Sequence, residues 1–218
     1  MKKTLLMAAL AAAVVGGALG CGGKSASPSS GTFTDSRDGQ VYRIVEINGQ
    51  IWMAENLNYA AEGSKCYKNK ARNCAKYGRL YNWETALTAC PVGTHLPRYA
   101  EWTTLVDYAS GDSTAGTKLK SSRGWKRFKG VPAGTNDYGF SALPGGICNY
   151  NNDFFCAGSC GYWWSASDLY GCGSWGDTTE ACAWRRCMNH NYEDVESAYN
   201  YKADLFSVRC ILDKEAQK

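Results

Sequence analysis

The sequence holds only two histidines, His95 and His190, and no Cys-x-x-Cys pair among its eleven cysteines. Structural zinc draws on such close pairs and on nearby histidines. Here both histidines lie away from the pairs Cys156/Cys160 and Cys182/Cys187, so the pattern argues against a metal centre. Internal repeats are absent, and low complexity is confined to a short polar stretch near the start. Charge of one sign is also lacking. Against 20 Asp+Glu stand 24 Lys+Arg, a net +4 that falls to +2 without Lys2 and Lys3. The charges are scattered along the chain, which speaks against nucleic acid as a partner.

The apolar run Leu5 to Leu19 is too short for a membrane span and follows the positive start Lys2-Lys3, the pattern of an export signal. It ends in Ala18-Leu19-Gly20-Cys21, which resembles the bacterial lipobox, where small residues admit a peptidase and the cysteine thiol takes a diacylglycerol. The expectation is a signal peptide over residues 1–20, lipidation of Cys21, and a polar tether over 21–31 that holds the domain off the membrane. Eleven is an odd cysteine count for an exported chain, and a lipidated Cys21 accounts for the odd one. Cys66, Cys74, Cys90, Cys148, Cys156, Cys160, Cys172, Cys182, Cys187 and Cys210 remain, enough for five disulfides in an oxidising compartment. Gly22 lacks the aspartate that retains some lipoproteins at the inner membrane, which favours the outer membrane.

Residues 32–213 have the length of one domain with a real core, followed by a polar tail at 214–218. Asp38-Gly39 and Asn48-Gly49 are hairpin dipeptides, so strands are expected around Thr32 to Thr34, Val41 to Ile47 and Gln50 to Met53, with Tyr42, Ile44, Val45, Ile47 and Trp52 filling one side. Asn82 reads as the cap of a helix from Trp83 that stops before Pro91. A second helix follows Pro97, because Trp102, Leu105, Val106 and Ala109 recur on one face. A helical turn over Ala115 to Lys120 completes the helices. From Gly124 onward, short apolar runs at Phe140 to Leu143, Trp163 to Ala166, Ala183-Trp184 and Phe206 to Val208 read as strands between long loops. At least one of Trp163 and Trp164 belongs in the core.

Several phrases stand in a fixed order: Thr34-Asp35-Ser36-Arg37-Asp38-Gly39, Trp52-Met53-Ala54-Glu55-Asn56-Leu57-Asn58-Tyr59, Tyr77-Gly78-Arg79-Leu80-Tyr81-Asn82-Trp83, Tyr138-Gly139-Phe140-Ser141-Ala142-Leu143-Pro144-Gly145-Gly146 and Phe206-Ser207-Val208-Arg209-Cys210. Together they resemble the Fibrobacter succinogenes major paralogous domain, also called FISUMP, over nearly the whole mature chain. That resemblance implies a surface lipoprotein or secreted protein and carries no established activity. At the level of fold, Leu96-Pro97 running into Glu101-Trp102, then glycine-rich loops, a Trp-Trp strand and a final Arg-Cys strand are similar to the C-type-lectin-like fold shared by formylglycine-generating enzymes. The implied fold class is α+β: two helices, short antiparallel strands and long disulfide-stapled loops. The likeness further implies a long staple Cys90–Cys210, with Cys66–Cys74 closing a local loop. It leaves open the pairing of the other six.

No catalytic residue, metal or cofactor is expected. His95 reads as a hydrogen-bonded turn residue. A formylglycine-type enzyme needs a free thiol, which ten paired cysteines would not leave. Asn136-Asp137 and Asn149 to Asp153 could offer oxygens to calcium, but they lack the calcium-lectin signatures and read as turns. Metal-free sugar binding needs ring faces beside amides. Tyr150, Phe154, Phe155, Tyr170, Trp175, Tyr192, Tyr199 and Tyr201 are the loop aromatics, with Tyr150, Asn152, Trp175, Tyr192 and Tyr199 as the tentative ligand set. The leading expectation is a non-catalytic cell-surface lipoprotein, membrane-held through its N-terminal lipid, that binds an extracellular polysaccharide or a surface protein. The alternative is a structural or assembly component of the envelope that binds no glycan; an enzyme is the third reading.

Overall fold

The computed structural model describes residues 30–170, 172 and 181–213. Residues 1–29, with Cys21 and most of the expected tether, Trp175 and the tail at 214–218 lie outside them, whereas Ser30 and Gly31, expected in the tether, belong to the first strand. The first hairpins form where the turn dipeptides place them: β1 (Ser30–Thr34), β2 (Val41–Ile47) and β3 (Gln50–Met53) pair antiparallel. Asn48 and Gly49 take φ of 50° and 71°, the left-handed pair that a two-residue hairpin requires. In the β1–β2 turn, the fully buried Asp35 accepts from the Arg37 backbone N–H at 3.0 Å and from its guanidinium at 2.9 and 2.7 Å. The same guanidinium lies 3.7 Å above the Tyr59 ring and donates to the Ala89 carbonyl at 2.8 Å.

The remaining elements are a 3-10 turn (Tyr67–Asn69), α1 (Ala71–Tyr77), β4 (Leu80–Tyr81), α2 (Trp83–Ala89), β5 (Thr94–His95), α3 (Tyr99–Tyr108), α4 (Ala115–Leu119), β6 (Ile147–Cys148), β7 (Phe154–Phe155), β8 (Cys160–Tyr170), β9 (Ala181–Asn189), β10 (Glu196–Tyr201), β11 (Phe206–Ser207) and β12 (Ile211–Leu212). The class is α+β. Asn82 caps α2 through its side-chain oxygen, 2.9 Å from the Thr85 N–H. The four expected apolar positions of the α3 face are all buried. Phe140 to Leu143 departs from expectation: its only ladder contact is a parallel bridge from Lys120 to Ala142, because Ser141 takes a φ of 56° that breaks an extended run.

Two five-stranded sheets result, ordered β1-β2-β3-β12-β5 and β10-β9-β8-β11-β4, with β6 and β7 as a separate hairpin. The central strands β3 and β8 are buried on both faces, so neighbouring residues feed different cores. Trp52 and Trp163 enter a cluster with α3 and α4, while Met53 and Trp164 enter one with α2. Strand alternation demands this division. Both Trp163 and Trp164 are fully buried, where at least one was expected, and one expectation is corrected: Tyr42 joins the α2 cluster while Val45 and Ile47 join the other.

Cys90–Cys210 and Cys66–Cys74 are bonded as the resemblance implied, and Cys156–Cys160 and Cys172–Cys182 are bonded as well. The expected fifth bridge is absent: Cys148 and Cys187 are free, buried thiols. Cys187 lies on β9, and β8 separates it from β11, beside which Cys148 bridges to Leu205. Two interstrand steps span about 10 Å, beyond the Cα separation of about 7 Å that a disulfide tolerates. With two thiols unpaired, parity no longer supports lipidation of Cys21, which then rests on the sequence around it.

Candidate functional site

Four of the five phrases that carry the family resemblance converge on one buried node. Arg209, fully buried, makes five hydrogen bonds: to Asn56 Oδ1 from Nε and Nη2 at 3.2 and 2.8 Å, and to the carbonyls of Met53, Phe140 and Ser141 at 3.1, 2.5 and 3.4 Å. Its guanidinium carbon stands 4.4 Å from the Phe140 ring centre. Asn56 Oδ1 also accepts from Trp163 Nε1 at 2.9 Å, and Asn56 Nδ2 donates to the Tyr77 carbonyl at 2.8 Å and Ser207 Oγ at 3.3 Å. Gly78 is fixed by the same crowding: at φ +76, an added Cβ would stand 2.8 Å from Asn56 Cβ and from the Leu57 carbonyl oxygen. No carboxylate touches Arg209 among the described residues, and burial pulls its pKa below the ordinary arginine range. Arg209 and Trp163 are fully buried within it, so these motif residues join the two sheets from inside the core.

Other candidates are also held within the protein. His95 sits between Asp213 Oδ1 at 2.5 Å and Glu101 Oε1 at 2.9 Å, clasping the end of the domain to the first turn of α3. Asn136 and Asn149 form turns, and their Oδ1 atoms accept from the N–H groups of Ser141 and Asp153 at 2.6 and 2.8 Å. The free thiols are shielded. Burial raises the pKa of Cys148 and pushes that of Cys187 up to about 12.

The tentative ligand set does not assemble as one surface. Asn152 occupies a left-handed turn, with its side-chain oxygen accepting from Lys65 Nζ. Tyr199 stands on the edge strand β10 against Trp184, ring centres 6.2 Å apart. Tyr192 is exposed beside the acidic stretch Glu193 to Glu196, and Trp175 lies outside the described residues. Of the described members of the set, Tyr150 alone lines a cleft of about 690 Å3, where it meets Tyr201 with Asn82, Glu84 and Lys202.

This cleft is built by the turn after β10. Asp204, 4% exposed, accepts from the Tyr150 backbone N–H at 3.0 Å and from Asn200 Nδ2 at 3.1 Å, pinning the β6–β7 loop to the strand end. Burial raises the Asp204 pKa. The rings of Tyr150 and Tyr201 consequently stand 6.0 Å apart and nearly perpendicular, at 88°, and are 58% and 41% exposed. Lys202 Nζ pairs with Asp168 Oδ1 at 2.8 Å and lies 4.1 Å from the Trp83 ring centre, so the cation is fixed at the wall. Two ring faces with an amide, a carboxylate and an ammonium around them can hold a ligand having both apolar C–H faces and hydroxyls. Tyr201 was among the loop aromatics but not in the narrower set, because nothing in Glu196 to Tyr201 marks it as a strand bringing Tyr201 to Tyr150.

None of the curated proteins and no solved structure matches the chain. The family model of the Fibrobacter succinogenes major domain matches residues 45–212, from within β2 to the end of β12. The chain therefore belongs to the Fibrobacter succinogenes major domain family.

Proposed function

We propose that this is a non-catalytic surface lipoprotein, anchored through Cys21 in the outer membrane, whose domain binds an extracellular polysaccharide in the Tyr150–Tyr201 cleft. The family points to a surface protein. The single observation that supports the ligand class is the pair of exposed, perpendicular tyrosine rings beside Asn82, Glu84 and Lys202. A C-type-lectin-like ancestry is part of the proposal, supported by the Cys90–Cys210 staple from the end of α2 to the segment before β12. The non-catalytic reading draws support from the two thiols. A thiolate is the reactive form, and burial keeps Cys148 and Cys187 protonated at neutral pH.

The test is binding of the full chain to a panel of soluble and insoluble polysaccharides, with and without chelator. We expect saturable binding that survives chelation and weakens at least about tenfold in Tyr150→Ala and in Tyr201→Ala, on the scale of losing one stacked aromatic contact. Binding indifferent to both substitutions would remove the cleft from consideration. Folded protein that binds no polysaccharide would favour the envelope-assembly role.

A further inference from the structure

Between Asp112 and Asp137 the chain carries Lys118, Lys120, Arg123, Lys126, Arg127 and Lys129 and no acidic residue. The structure gathers this run into a held loop. Trp125 Nε1 donates to the Ala142 carbonyl at 2.9 Å, Lys126 N to Gly158 O at 2.7 Å, and Thr135 N to Thr117 O at 2.8 Å. Gly134 closes the loop against Lys120, so tightly that an added Cβ would meet the Lys120 and Ser121 carbonyl oxygens at 2.6 Å. A recess of about 30 Å3 lies between loop and strand end, lined by Lys120, Trp125, Lys126, Arg127, Phe128 and His190. That is room for one small polar group.

Three features of the recess call for negative charge. Lys120 is 3% exposed, yet its ammonium meets only the Asn189 and Tyr192 carbonyls, at 2.5 Å each, and the Trp125 ring face at 5.3 Å. A buried cation with no carboxylate in ion-pair contact stays under-compensated: Asp194 and Glu193 act on it from beyond ion-pair distance, and desolvation outweighs them and lowers the Lys120 pKa. His190 Nδ1 is buried without a hydrogen-bond partner, its ring held edge-on to Phe128 at 5.8 Å. Around the rim, the exposed Arg123, Lys126, Arg127 and Lys129 form no ion pair among the described residues.

We propose that this recess is a second binding site, for an acidic polysaccharide: one carboxylate of a uronate-type unit enters between Lys120 and His190, and the rim cations pair with its neighbours along the chain. The site is separate from the tyrosine cleft in its residues and in the charge of its ligand. Phe128, 52% exposed, offers a ring face to a sugar. A single exposed ring is too small an apolar surface to seat the loop in a bilayer, and a surface protein meets acidic glycans outside the cell.

The full chain would be titrated with polygalacturonate and with neutral dextran, in low and moderate salt. Comparison proteins are Lys126→Glu/Arg127→Glu, His190→Ala, and Lys70→Glu/Arg72→Glu on the exposed start of α1 as a charge-matched control. Near-ultraviolet circular dichroism verifies that each is folded. The expected result is salt-sensitive binding of polygalacturonate and not dextran, reduced at least about tenfold in the loop double variant, about threefold in His190→Ala, and less than twofold in the control. Absence of polygalacturonate binding, equal loss in loop and control variants, or tighter binding to phosphatidylglycerol vesicles or single-stranded DNA would each overturn the assignment.

Discussion

Asn56 shows how one side chain can hold a fold together. Its oxygen serves both Arg209 and Trp163, and its amide nitrogen serves Tyr77 and Ser207. Truncating it leaves a buried guanidinium and an indole N–H under-satisfied, a loss of about 2–3 kcal/mol on the scale of a lost hydrogen bond to a buried charged group. Asn56→Ala is therefore expected to shift the guanidinium unfolding midpoint sharply downward under non-reducing conditions. A cost under about 1 kcal/mol would contradict this account of the node. Asp35 gives a pH signature. The Arg37 guanidinium beside it lowers its pKa below 3.8, so its native state binds protons less readily than the unfolded chain. The stability it adds is full above its unfolded pKa and is lost as pH falls through its folded value. Melting temperature measured from pH 5 down to pH 2 should fall less steeply in Asp35→Asn than in the parent; parallel profiles would contradict the linkage.

At the scale of elements, the hairpins and the longer helices were legible because each has a local physical signal. Asn48-Gly49 supplies two left-handed residues, and the α3 face repeats at helical spacing. The second half was harder to read. β10 has no buried alternation, since it is an edge strand with a mostly exposed face, and β11 and β12 are two residues each. Such short strands exist through tertiary pairing, which no window of sequence records. Among the site residues, Tyr150 was visible as a loop aromatic, whereas its meeting with Tyr201 depends on Asp204 bridging two elements. The basic loop was within reach, since an acid-free stretch with six cations can be counted directly; scattered charge was the wrong description of it. The Cys90–Cys210 bond joins elements 120 residues apart, and closing a loop of that length restricts the unfolded chain by about 5 kcal/mol in the chain-entropy model. Cys90→Ser/Cys210→Ser should lose about 3–5 kcal/mol in reversible denaturant unfolding, and an unchanged midpoint would mean the bond constrains little.

For the whole molecule, cysteine accounting was the least transferable inference, because counting thiols says nothing about which strands lie between them. Four bonds and the buried Cys148 and Cys187 predict a specific titration. The folded, unreduced, lipidated chain should show no thiol reactive within minutes. After unfolding in denaturant without reductant the chain should show two if Cys21 is lipidated and three if it is not. Finding none in the unfolded lipidated chain would establish a fifth bridge. The order of strands bears on how such a chain is made. β12 sits between β3 and β5, and β11 between β8 and β4, so residues 206–212 complete both sheets and bring Arg209 to its node. Without this segment each sheet is left split, β3 apart from β5 and β8 apart from β4. Contacts of such long sequence separation make folding slow. A polypeptide built this way closes neither sheet until residues 206–212 arrive, a delay that suits the export proposed for it.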